Sequence, residues 1–360
     1  MQVDSDRLVP LGRMALRHAL GAILLLAAAC ASDPVDLRIT GDTSSSTTTE
    51  AAAETSIPAA APPLTIAPWS GHRMALSWTF DDGDPSHLGM VIPLLGSLGI
   101  PGTFYPTCSE MEPDLDEWVA IGAAGFHEIA NHTMTHVEAD GSTDTAEIAD
   151  CHDYLVETVG VDVSTFAYPA GTLDEPYLGY ATDNYVAARA SWAFVTIVRS
   201  STAPDWSAVP SVFVGDVADD VSAEERIEWP IRAITDTDTE AGWLTLTFHS
   251  VGTSRRYGSV STEEFERVIA HSDQYDVWHG TFADVASYHR GRLAVLGALP
   301  ERTETDGWVW SWEVPNGMTS IPLLATVESG ELLQQGRVVE RDAAGRFLVN
   351  PSLGELGWQP

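Results

Sequence analysis

From about Pro68 onward, short apolar runs alternate with stretches of helical spacing. The runs Met74 to Phe80, Gly102 to Thr107, Glu128 to His132, Thr165 to Tyr168, Tyr185 to Arg189, Trp243 to His249 and Asp276 to Trp278 predict strands. Between the early ones, Val91, Leu94, Leu95 and Leu98, and then Ile148, Cys151, Leu155 and Val159, recur at helical intervals. Strands alternating with helices over about 225 residues predict a parallel α/β arrangement, either a barrel or an open sheet. In both, functional groups gather at the C-terminal ends of the strands. After Arg292 the pattern changes to short strands, Trp308 to Val314, Ile321 to Val327, Gly336 to Glu340 and Arg346 to Val349. Trp308, Trp310 and Trp312 alternate and so share one strand face, which predicts packing against the main domain ahead of a sugar-stacking platform. Residues 293–360 are expected to form a small sandwich-like β appendage, too small for independent stability.

The first 67 residues lack this periodicity. Arg17 and His18 precede an apolar run from Ala19 to Ala29 and then Cys30, the layout of an export signal. The run is too short for a membrane-spanning helix. Leu26-Ala27-Ala28-Ala29-Cys30 looks like a bacterial lipobox, in which Cys30 is lipidated; an ordinary signal peptide is the alternative. Asp4 and Asp6 suit such a leader poorly, which points to Met14 as the start. Residues 31–67, rich in Ser, Thr, Ala and Pro, predict a disordered tether. The expected organisation is a signal with lipobox over 1–30, a tether over 31–67, a catalytic domain over 68–292 and the β appendage over 293–360. An exported lipoprotein facing the periplasm or the exterior follows, attached to the membrane through its lipid alone.

Charge narrows the partners. The chain carries 52 acidic residues against 18 basic ones, all arginine, for a net charge of −34. Residues 1–66 hold only 7 acids and 4 arginines, so the excess sits on the folded region. Such a field repels phosphate backbones and excludes nucleic acid as a natural partner. It leaves neutral or cationic polymers, and it fits a salty medium that screens self-repulsion. Beyond Cys30 only Cys108 and Cys151 remain, either bridged or two separate buried thiols.

Four polar clusters sit at predicted strand ends. In Thr79-Phe80-Asp81-Asp82-Gly83, adjacent carboxylates leave a strand in different directions, so one can bind a metal while the other handles a proton. In His132-Thr133-Met134-Thr135-His136, the i, i+4 spacing places both imidazoles on one face of a helical turn. Asp82, His132 and His136 would then form a two-histidine, one-carboxylate site with open positions, as a hydrolytic metal requires. Phe166-Ala167-Tyr168-Pro169-Ala170-Gly171 breaks a strand at proline and glycine, and Leu246-Thr247-Phe248-His249-Ser250 ends another on a histidine suited to general acid work.

In this order, the four clusters resemble the motifs of the polysaccharide deacetylase family, the NodB-homology carbohydrate esterases, over roughly Pro68 to Arg292. The resemblance implies a distorted (β/α) barrel and metal-dependent removal of acetyl groups from sugars, with Zn²⁺ as the expected ion. It implies Asp81 as base, Asp82, His132 and His136 as metal ligands, and His249 as acid. Tyr168, Pro169 and Ala170 would line the substrate site, with the Ala170 N–H on the oxyanion, where the family has tyrosine. The position matching Ala167 often carries an arginine that orients the base. Arg189 at the end of the next strand is the candidate replacement, with a structural ion pair as the alternative. Asp205-Trp206 is the candidate for the family's Asp-Trp motif, so that Trp206 would help line the acetyl pocket. The substrate expected is an acetylated polysaccharide, N- or O-linked, attacked by a monomer. A small-amide hydrolase on the same fold and an inactive carbohydrate-binding lipoprotein are the alternatives.

Overall fold

Met74–Asp82 forms strand β1 of the computed structural model, and its alternation sorts side chains onto two buried faces. Met74, Leu76, Trp78 and Phe80 join the main apolar cluster. Ser77, Thr79 and Asp81 are equally buried but meet polar partners on the opposite face. A strand buried on both faces belongs in a covered parallel sheet. The structure describes residues 60–360 apart from 143, 192–196, 216–221, 253–257 and 306, so Cys30 and most of the expected tether lie outside the described residues.

The parallel strands that follow are β2 (Gly102–Pro106), β3 (Glu128–Ile129), β4 (Thr165–Ala167), β5 (Ala187–Arg189), β6 (Val212–Phe213) and β7 (Gly242–Phe248), and the predicted strand near Trp278 is present as Val277–His279, parallel to the start of β1. β1 lies between β2, from Trp78↔Gly102 to Asp82↔Pro106, and β7, from Ala75↔Trp243 to Phe80↔Phe248. β2 pairs with β3, β4 with β5 and β6 with β7. Single parallel bridges, Asn131↔Phe166 and Arg189↔Val209, join β3 to β4 and β5 to the segment before β6. The ring therefore closes into the expected distorted barrel. β6, and the strand Ile197–Arg199 antiparallel to Gly242–Leu244, were not predicted, because two- and three-residue strands among prolines show no measurable period.

Helix Phe282–Gly297 caps the lower end of the barrel. Its first amides reach into the interior, Phe282 N donating to Thr103 Oγ1 at 2.8 Å and Ala283 N to Glu128 Oε2 at 2.9 Å. Glu128 also accepts from Thr103 at 2.9 Å and Thr165 at 2.5 Å. Burial pushes the Glu128 carboxyl up to about 7 in spite of these donors. An acid whose folded pKa exceeds its unfolded value of about 4.5 binds more protons when folded. This group's contribution is therefore present below pH 4.5 and is lost as pH rises to about 7. Glu128→Gln is expected to flatten that limb of the stability–pH curve, by up to about 3 kcal/mol, in urea titrations from pH 4 to 8. An unaltered slope would assign the pH dependence to other groups.

Two β-sheets complete the chain. Leu64–Ile66, Leu323–Val327 and Phe347–Val349 form one; Glu301–Arg302, Trp308–Ser311, Glu355–Gln359, Glu331–Gln334 and Arg337–Val338 form the other. They share a core containing Ile66, Trp310, Leu323, Phe347, Leu356 and Trp358, which reaches the capping helix through Tyr288 and Val295. Trp310 is buried there, with Trp308 and Trp312 packed against it, so this stripe is packing surface. The expected tether ends earlier than Pro68, because Leu64–Ile66 pairs with Leu323–Val327 and buries Ile66.

Cys108, just beyond β2, is bridged to Cys151 in helix Ala146–Tyr154. Cross-linking residues 43 apart restricts the unfolded chain by about 4 kcal/mol on chain-entropy grounds. Replacing both cysteines with serine is expected to lower the unfolding free energy by about 2–4 kcal/mol in guanidinium titrations. A change within error would mean the bridge does not constrain the unfolded ensemble.

Candidate active site

The upper end of the barrel is where β1 runs out at Asp81-Asp82-Gly83. Asp82 and Gly83 both adopt left-handed backbone, φ 70° and 73°. A Cβ at Gly83 would come within 3.0 Å of Pro106, so glycine is required by both conformation and space. The consecutive reversals send the two carboxylates apart. Asp81 turns into the barrel and is almost fully buried, whereas Asp82 is about half exposed.

His132 and His136 do converge, but not on a helix. Thr133 and His136 are left-handed, φ 67° and 59°, and the segment is an extended loop. Local side chains take the backbone donors a helix would use. Asn131 Oδ1 accepts from Thr133 N at 2.9 Å, and Glu147 accepts from Thr135 N at 2.9 Å. Asn131 is itself fixed, donating to Ile148 O and Tyr185 Oη at 2.8 and 2.9 Å. Cys108 N and Ser109 N donate to Thr133 O and Met134 O, so the disulfide tethers two segments flanking this loop.

The two imidazoles present Nε2 to the same oxygen. His132 Nε2 lies 3.4 Å and His136 Nε2 3.3 Å from Asp82 Oδ1. His132 Nδ1 donates to Ala167 O at 2.8 Å, which fixes the tautomer that leaves Nε2 as acceptor. Burial raises the Asp82 carboxyl, but the neighbouring imidazoles of His132, His136 and His249 outweigh it and hold it well below the usual carboxylate range. The three ligand atoms fall within 4.8 Å of one another. Buried oxygen, two oriented imidazoles and an open cavity together fit a divalent ion.

Arg189, at the end of β5, is fully buried, and its Nη2 lies 2.6 and 2.5 Å from the two oxygens of Asp81. Its Nη1 donates to Thr247 Oγ1 at 3.0 Å, and its guanidinium sits 5.2 Å from the Tyr105 ring centroid. A guanidinium thus reaches Asp81 from the strand beside Ala167. His249, just past β7, places Nε2 3.9 Å from Asp82 Oδ2, and burial lowers its pKa against the pull of Asp81 and Asp82. His87 Nε2 donates to the His249 carbonyl, and Asp84 accepts from Ser250 Oγ at 3.0 Å, tying the loop after β1 to the loop after β7.

These groups surround a cavity of about 340 Å³, lined by Asp81, Asp82, His132, His136, Ala170 and His249, with Glu138, Ser191 and Phe213 completing the wall. Ala170 is left-handed, φ 51°, which turns the chain onto the wall. Tyr168 and Pro169 are buried behind it; the Tyr168 hydroxyl donates to Ser207 O at 2.6 Å, away from the cavity. Trp206 is also elsewhere, packed 5.4 Å from the Arg290 guanidinium and 5.7 Å from His289 on the capping helix. A single Asp-Trp pair carries too little information to fix its place, so its assignment to the acetyl pocket is not supported. Glu138, Ser191 and Phe213 carry no motif; only their nearness to His136, Arg189 and the unpredicted β6 could have marked them.

A family profile described as polysaccharide deacetylase matches residues 70–187. Among curated proteins, a gellan lyase from Bacillus sp is 24% identical over 250 residues, 63% of this chain and 10% of that protein. A chitooligosaccharide deacetylase from Rhizobium leguminosarum bv. phaseoli is 29% identical over 142 residues, 38% of this chain and 58% of that one. The chain thus spans a tenth and under three-fifths of the lengths of these relatives. A family 4 acetyl xylan esterase from Clostridium thermocellum, solved with a cobalt ion, aligns at 16% identity and TM-score 0.42, over 59% of this chain and 89% of that one.

Proposed function

We propose that this chain belongs to the polysaccharide deacetylase family, whose profile matches residues 70–187, and hydrolyses acetyl groups from an acetylated polysaccharide. The observation that carries the reading is that Asp81, held from behind by buried Arg189, faces the same cavity as the Asp82, His132 and His136 cluster. A divalent ion held by that cluster, with Zn²⁺ the natural choice for this ligand set, supplies Lewis-acid polarisation and a more acidic water. Asp81, fixed in direction by its ion pair with Arg189, takes the proton of the attacking water. The peptide N–H at Ala170, on the cavity wall, donates to the developing oxyanion. His249 gives a proton to the departing amine or alcohol. These roles serve N- and O-acetyl linkages alike. Export and lipidation at Cys30 belong to the same proposal, since a polymer substrate lies outside the cell.

The test is acetate release by the metal-loaded protein from chitooligosaccharide, peptidoglycan and acetylxylan. Release from at least one is expected, with Asp81→Asn inactive on it. No release from any of the three, with the ion bound, would favour a carbohydrate-binding role instead.

A further inference from the structure

Away from the catalytic cavity lies a second depression, of about 580 Å³, that no step of the proposed reaction uses. One wall is helix Ala223–Glu240, where Trp229, Ala233, Asp236 and Glu240 fall on one face. That face runs roughly 16 Å from Trp229 to Glu240. The other wall is strand Ile197–Arg199 with the loop through Pro204 and Asp205. The strand pairs with Gly242–Leu244, the first residues of β7, whereas His249 follows its last. The groove and the catalytic cavity are therefore separated by roughly 23 Å along β7.

Its chemistry is specific. Trp229 is 45% exposed, and Arg232, one turn along the helix, lies 5.5 Å from its ring centroid. Arg199 is neutralised by Glu240, with Nη2 to Oε2 at 2.6 Å. Among the described residues, Asp205 accepts from Ser207 N and Oγ, both through Oδ1. Among the described residues no ion pair reaches Asp236. A half-exposed indole beside carboxylates without a cationic partner suits a ligand with flat apolar faces and positive charge. Sugar rings bearing free amines have both properties.

We propose that this groove binds amino-sugar chain whose acetyl groups have been removed, retaining the product stretch while another part of the polymer occupies the catalytic cavity. The inference rests on the deacetylase reading with an N-acetyl substrate. Two attachment points on one chain raise its effective concentration at the catalytic cavity without new contacts there.

The test measures calorimetric binding of glucosamine hexasaccharide to the full chain and to its Trp229→Ala and Asp236→Asn variants. Affinity is expected to fall about tenfold or more in Trp229→Ala, several-fold in Asp236→Asn, and in the unaltered protein as salt is raised. Acetate release from a disaccharide should be unchanged in both variants, while release from long polymer falls several-fold. Wild-type affinity in both variants would overturn the groove assignment while leaving the catalytic reading intact. Absence of acetate release by the unaltered protein would instead remove the reading on which it rests.

Discussion

Replacing His132 with alanine is expected to abolish divalent-ion binding and acetate release together. His132 is almost fully buried, its ring orientation is set by the Nδ1 bond to Ala167 O, and its Nε2 faces Asp82 beside His136. Removing it leaves two ligands, one of them the half-exposed Asp82, too few for a closed set of three protein donors. Without the ion, water keeps its bulk acidity instead of a pKa near 7, so kcat/KM should drop by roughly 10³-fold or more. Metal stoichiometry by atomic emission gives a readout independent of turnover. The fold should survive, since the change removes one hydrogen bond worth about 1 kcal/mol and leaves a small cavity. Stoichiometric ion binding with full activity in this variant would sink the ligand assignment.

Arg189→Ala should cost both stability and activity. The guanidinium is fully buried and is paired at 2.5 Å with the almost fully buried Asp81. Breaking such a pair leaves an uncompensated buried charge, a loss of about 3–5 kcal/mol. The Asp81 carboxylate also loses the partner that fixes its direction, so it no longer meets the attacking water in an aligned geometry. Activity should then fall by about 10²–10⁴-fold, the usual worth of a positioned base. Arg189→Lys separates charge from geometry. It restores a cation but not the paired donors that reach Asp81 and Thr247, so it should recover stability more than turnover. Turnover equal to the unaltered protein in a folded Arg189→Ala variant would reduce the pair to a structural role.

Much of this site was legible in the sequence, because its chemistry is concentrated in short clusters at strand ends. Asp81, Asp82, His132, His136 and His249 meet around one cavity, as the motifs suggested. The local geometry was less legible. The i, i+4 histidines suggested a helical turn, whereas Asn131 and Glu147 capture the amides and hold an extended loop with left-handed residues. That outcome depends on Glu147, 11 residues beyond His136, and no window on the motif alone contains it. Arg189 could be proposed because a guanidinium's destination matters more than its strand of origin. Trp206 fails for the converse reason, since a two-residue match says nothing about which side of the barrel its loop covers. In β1 polar and apolar residues alternate, and the polar side faces the barrel interior, where Ser77 and Thr79 find partners on β7. Closure by β6 and by single bridges was invisible at the scale of two residues.

The two bridges at the edges of β4 and β5 do not act alone. Ala167 N also bonds Asn131 O on one side, and Ala188 N bonds Trp206 O and Ala190 N bonds Val209 O on the other, so the laddered pair is tied to both its neighbours. Arg189 ends β5, and Ala170 follows β4 by three residues. The proposed partner of the base and the proposed donor to the oxyanion are thus carried by one pair of strands, and a substitution that shifts β4 against β5 should disturb both at once.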